Sequence, residues 1–162
     1  MGVSGCGKSS VASNLADHYG FHYIEADDFH SEQAKQHMAA GLALTDAMRL
    51  PWIKKLKQQL QTTSKSDNSA VLAFSGLRQA HRMQFRDIFD RTVFIHLVAP
   101  YDTILQRMNQ RNDHFMPVKL LASQFAALEP VSGESDIIEV DANIELISLI
   151  QDVSKKIDLH LN

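Results

Sequence analysis

Apolar positions recur along this chain in two alternating rhythms. Val11, Ala12, Leu15 and Ala16 fall at helical spacing and predict a helix over 9–19, stopped by Gly20. A short apolar strand is predicted over 21–24, then a helix over 31–40 that ends at Gly41. Thr45 is placed to cap another helix, in which Pro51 predicts a break or a fresh start. Ile53, Leu56 and Leu60 carry one apolar face over 52–60, and 62–69 reads as a polar loop. The runs 70–74 and 92–98 have the length and apolar density of buried parallel strands, with a helix over 79–90 between them. Pro100 opens a helix carrying Ile104, Leu105 and Met108; 111–117 is polar and basic, and 118–128 resumes as helix. A last strand is predicted over 137–140, and Asn143 is placed to cap a closing helix that holds Leu146, Ile150, Val153 and Ile157.

Alternating strands and helices imply a parallel sheet covered on both faces, a three-layer α/β architecture. Ligands of such sheets gather at the C-terminal ends of the strands. No repeat, low-complexity block or linker divides the chain, so 1–162 reads as a single domain.

The N-terminal stretch changes the picture from architecture to chemistry. Gly2-Val3-Ser4-Gly5-Cys6-Gly7-Lys8-Ser9 fits the phosphate-binding pattern G-x-x-x-x-G-K-[ST] at every fixed position. Glycines let the backbone wrap an anion, and the helix start behind them adds N–H groups and the positive end of its dipole. The candidate nucleotide-binding residues are Gly2, Ser4, Gly5, Cys6, Gly7, Lys8, Ser9 and Ser10, with Lys8 on the outer phosphates and Ser9 on Mg²⁺. The fold class is therefore a P-loop NTPase fold. A P-loop ordinarily follows a buried strand, and here only Met1 precedes it. We expect translation to start upstream of Met1, or else a chain that lacks this strand, folds around the gap and survives as a homodimer or a degenerate relative.

Composition narrows the partners. The 162 residues are 44% hydrophobic and 22% charged, with a net charge of −3, which argues against a broad nucleic-acid footprint. Cys6 is the lone cysteine, so no disulfide framework is expected. The absence of an 18-residue apolar run or a leader-like start gives a cytoplasmic, membrane-free expectation. The eight histidines show no metal-ligand spacing.

Several blocks beyond the loop resemble the gluconate kinase (gluconokinase) family of small P-loop sugar-acid kinases. They are Glu25-Ala26-Asp27-Asp28-Phe29-His30; Met38-Ala39-Ala40-Gly41 with Leu44-Thr45-Asp46 and Arg49-Leu50-Pro51-Trp52; and Ser75-Gly76-Leu77-Arg78 with Arg82. The most specific is Arg107-Met108-Asn109-Gln110-Arg111-Asn112-Asp113-His114-Phe115-Met116, followed by Ser123-Gln124-Phe125 and Leu128-Glu129-Pro130, which is similar to the family's lid signature. Departures collect on the acceptor side: Ser31, Ala34, His37, Ala43, Met48, Gly76, Arg78, His81 and Met83 differ from the family pattern, whereas the lid signature is intact.

The resemblance implies a nucleoside-kinase-like fold with a lid over about 107–117, ATP and Mg²⁺, and phosphorylation of a sugar acid, D-gluconate giving 6-phospho-D-gluconate. In this scheme Lys8, Asp27 and Arg111 are catalytic, and Asp27 joins Ser9 at the metal. Asp27, His30, Arg49, Arg78 and Arg82 face the acceptor, with Arg78 on its carboxylate. Arg107 and Arg111, four residues apart on one helical face, would repel unless an anion lies between them, which a closing lid supplies. Two rivals stand: a kinase similar to shikimate kinase, whose glycine-rich third-strand motif is replaced here by Ser75-Gly76-Leu77, and a non-catalytic nucleotide-binding relative.

Overall fold

The computed structural model describes residues 1–66, 68–110 and 117–161. Seven α-helices and four strands alternate among them. They are α1 (Lys8–Tyr19), β1 (His22–Glu25), α2 (Glu32–Ala39), α3 (Asp46–Lys65), β2 (Ala70–Ala73), α4 (Gln79–Arg82), β3 (Phe94–Val98), α5 (Tyr101–Asn109), α6 (Leu121–Ala127), β4 (Ile137–Asp141) and α7 (Leu146–Leu161). Short 3₁₀ turns at Ala26–Phe29 and Val118–Leu120 precede α2 and α6.

The strands form two parallel pairs. β1 runs beside β2 with His22 opposite Ala70, and β3 beside β4 with Phe94 opposite Ile137. The start of the chain lies between the pairs. The Gly2 N–H donates to the Ser75 carbonyl just after β2 at 2.9 Å, and the Leu97 N–H of β3 donates to the Met1 carbonyl at 3.0 Å. Residues 1 and 2 thus tie both pairs together at the strand ends that carry the P-loop.

Two large apolar clusters flank this seam. Val11 and Leu15 of α1 pack with Leu97, Ile104, Val140, Leu149 and Val153 on one side. Trp52, Ile53, Leu56 and Leu60 of α3 pack with Ile24, Phe74 and Phe85 on the other. A smaller cluster of Ala34, Met38, Leu44 and Leu120 joins α2 to the turn before α6.

Four predictions are revised. α3 runs unbroken through Pro51 rather than breaking there. The proline stands only five residues beyond Asp46, so the carbonyl left without an N–H belongs to the exposed first turn. The polar loop predicted over 62–69 is helical as far as Lys65. The hydroxyls of Thr62 and Thr63 donate back to the Gln58 and Gln59 carbonyls, and Leu60 and Thr63 are buried. The helix predicted over 79–90 spans Gln79–Arg82 alone, because Arg82 and Arg86 are drawn to acids far along the chain. Asn143 does not cap α7, which begins at Leu146; its amide oxygen accepts from the Thr103 hydroxyl instead.

Candidate active site

The P-loop is held at the head of α1. Gly5 has φ +85°, and a Cβ there would approach Met108 and Ile104 of α5 to 2.9 and 3.1 Å, so only glycine lets the loop lie this close to the helix. Gly7 is the N-cap of α1 and offers no side-chain cap, which leaves the first-turn N–H groups of the helix for an anion. Lys8 donates its Nζ to the Val3 carbonyl at 2.8 Å, across the loop that an incoming phosphate would enter. Ser9 and Ser10 follow in the first turn, and the Ser9 hydroxyl also neighbours the Tyr23 phenol. Tyr23 donates to Glu25 at 2.6 Å, and burial, reinforced by this bond, raises its pKa.

Two loop residues are used differently from expectation. The Ser4 N–H donates to the Gln124 carboxamide oxygen at 2.6 Å, and the Cys6 N–H donates to the Val3 carbonyl at 3.4 Å. Neither N–H is turned to a phosphate in this arrangement. The Cys6 side chain is fully buried.

One cleft gathers Ser4 and Lys8 from the loop, Asp27 and His30 from the turn after β1, and Arg49 and Trp52 from α3. Ser75, Arg78 and His81 border it after β2, and Gln124 borders it from α6. Asp27 sits in the 3₁₀ turn whose N-cap is Glu25, with the Glu25 carboxylate accepting from the Asp27 N–H at 3.5 Å. Trp52 fixes the same turn from behind by donating its Nε1–H to the Ala26 carbonyl at 2.7 Å. Burial, with Lys35 and Arg49 nearby, lowers the His30 pKa to about 4, so that ring is neutral at physiological pH. Arg49 and Arg78 both bind Asp46, at 3.2 and 2.6 Å.

The other expected site residues separate into three groups. Arg82 does not face the acceptor. It is completely buried, donates to the Gly76 carbonyl and forms a two-point pair with Glu134, which removes it from the cleft. Arg107 lies in the last turn of α5, outside the cleft lining but on the helix that packs against Gly5. Arg111 lies outside the described residues.

Residues that motif reasoning did not assign include Asp46, Ser75, His81, Ser123 and Gln124. Ser123-Gln124 belongs to a segment that already stood out in the sequence, and His81 stood out as a departure, but neither signal gave a role. Among the described residues no three His, Cys, Asp or Glu side chains cluster as a resident metal centre would require. Mg²⁺ carried on nucleotide phosphates needs only one or two protein ligands, and a Ser9 hydroxyl with an Asp27 carboxylate fits that donor set.

A P-loop lysine, a helix N-terminus and a carboxylate opening on one cleft with two guanidiniums make a small-molecule phosphotransferase site on a P-loop fold. The sequence profile of the AAA domain family matches residues 1–131. Thermosensitive gluconokinase from Escherichia coli K12 is 36% identical over 152 residues, covering 93% of this chain and 81% of its own length. A gluconokinase structure from Sinorhizobium meliloti 1021 superposes with a TM-score of 0.83 at 33% identity, over 94% of this chain and 85% of its own. An unliganded sugar kinase from Janibacter sp. HTCC2649 superposes with a TM-score of 0.91 at 35% identity, over 98% and 91%. The chain belongs to the gluconokinase family.

Proposed function

We propose that this protein transfers the γ-phosphoryl group of ATP to a hydroxyl of D-gluconate, giving ADP and 6-phospho-D-gluconate. The observation that carries this reading is the single cleft in which Lys8 meets Asp27, Arg49 and Arg78. Phosphate recognition enters at one end and anion recognition at the other, with a carboxylate base in the same space.

In this mechanism the N–H groups at the start of α1 and the Lys8 ammonium draw negative charge off the phosphates. Arg49 and Arg78 hold the acceptor carboxylate and so fix which hydroxyl reaches the phosphoryl group. The acceptor oxygen bonds to phosphorus, the bond to the ADP oxygen breaks, and Asp27 takes the hydroxyl proton. Mg²⁺, when carried in on ATP, neutralises phosphate charge, and Ser9 with Asp27 would hold it. Arg107 and Arg111 complete the site as expected lid cations. The use of ATP supports a cytoplasmic location, and a homodimer stays an expectation.

The test is ADP release coupled to a detectable reporter, with gluconate, shikimate and neutral glucose as acceptors. Turnover is expected with gluconate alone. ATP binding by calorimetry with no turnover on any acceptor would leave a non-catalytic nucleotide-binding protein instead.

A further inference from the structure

Asp46 is not part of the cleft lining, yet it touches both guanidiniums that are. It occupies the first turn of α3, where Thr45 caps the helix by accepting from the Met48 N–H. Its Oδ1 accepts from Arg49 at 3.2 Å and its Oδ2 from Arg78 at 2.6 Å. Arg78 comes from the far side of the site, at the N-cap of α4. One carboxylate thus ties an arginine of α3 to an arginine after β2, 32 residues away.

Charge gives this bridge its purpose. Burial disfavours the charge on Arg49, and the neighbouring Arg78 guanidinium disfavours it further. A carboxylate between two such cations cancels the repulsion and fixes both planar forks by directional bonds. His81 lines the same end of the cleft. Burial and Arg49, then Arg78, push its pKa down against the opposing pull of Asp46 and Glu129. Glu129 is itself engaged by the Gln79 N–H at the start of α4. With His81 neutral, the Arg49–Asp46–Arg78 bridge by itself carries one net positive charge to meet the acceptor.

We infer that Asp46 is a positioning residue that orients Arg49 and Arg78 and matches this end of the cleft to an acceptor carrying one carboxylate. The inference rests on the sugar-acid reading above and deepens it. It predicts discrimination against the six-carbon dicarboxylate, glucarate, which would bring a second negative charge.

The test compares wild type and Asp46→Asn by calorimetry with gluconate and with glucarate, alongside gluconate turnover and thermal melting. The substitution keeps shape and removes charge at a largely exposed side chain, so the fold is expected to hold. Loss of a charge-assisted anchor should weaken gluconate binding about tenfold and move the gluconate-to-glucarate preference about tenfold toward glucarate. KM for ATP should stay within about twofold, because Asp46 lies outside the cleft lining that carries Lys8 and bonds to Arg49 and Arg78. If Asp46 served α3 only as a first-turn acid favourable to the helix dipole, the variant would melt lower with an unchanged acid preference, and the inference would fall. An unchanged preference in a variant that still binds gluconate sinks the inference alone. Failure of wild type to bind either acid sinks the sugar-acid reading, and this inference with it.

Discussion

His30 lies flat against Trp52, with ring centroids 4.5 Å apart and planes 14° apart. Its Nδ1 is buried with no hydrogen-bond partner among the described residues, and its Nε2 is 3.9 Å from the Asp27 carboxylate. The folded pKa of about 4 lies below the ordinary 6.5, so the unfolded chain binds the proton more readily in between. The His30 contribution to stability is therefore intact above pH 6.5, declines as pH falls, and is gone below about 4. Urea titrations of wild type and His30→Gln across pH 4–7 should show a shallower loss of stability in the variant. A variant slope equal to wild type would mean that His30 does not titrate in this window.

Arg82 and Glu134 form an interior ion pair, with Arg86 and Asp136 beside them. Removing one member leaves the other charge buried and unpaired. Glu134→Ala is expected to lower unfolding free energy by about 3–5 kcal/mol, read by urea denaturation. Arg82→Met with Glu134→Leu should cost less than either single change, because neither charge is then stranded. Gluconate KM, measured on the folded fraction, should be unchanged, since this pair lies outside the cleft.

Lys8 bears on chemistry rather than on folding. Among the described residues its ammonium bonds to the Val3 carbonyl, within the loop. Lys8→Met should lower kcat by at least about a hundredfold, the size expected when a donor to transition-state charge is lost. The melting temperature should barely move. A large fall in melting temperature would instead assign Lys8 a structural role in holding the loop.

Gly41 couples α2 to the 3₁₀ turn before α6. It has φ +72°, and a methyl group there would overlap the Lys119 side chain, whose Nζ donates to the Ala40 carbonyl at 2.5 Å. Gly41→Ala should cost about 1–2 kcal/mol for the left-handed backbone alone. Displacement of Lys119 adds the loss of its bond to the helix end. Adding Lys119→Ala should relieve the overlap but not the backbone cost, so thermal melts of the double variant should stay below those of Lys119→Ala alone.

The P-loop and the ligand class it announces were fully legible in the chain. That signal is local: consecutive glycines, one lysine, one serine and a helix start act together without help from distant residues. The alternation of strands and helices was legible for the same reason, and so were the apolar faces of α1 and α3. Asp27, His30, Arg49 and Arg78 were legible as a group through the blocks that resemble gluconokinases.

What the sequence could not decide was which polar side chains reach the cleft. Arg78 and Arg82 stand four residues apart and carry the same charge, but one binds Asp46 at the cleft and the other is sealed under Glu134. Glu134 is 52 residues away, so only folding could choose between them. Gln124 reached the P-loop from 120 residues downstream, which no spacing rule could show. The helical turns of 62–65 likewise depended on burial of Leu60 and Thr63 against a core that the local polar pattern did not reveal. Local backbone chemistry fixed the P-loop of this protein, and long-range charge pairing and burial decided which distant side chains border its cleft.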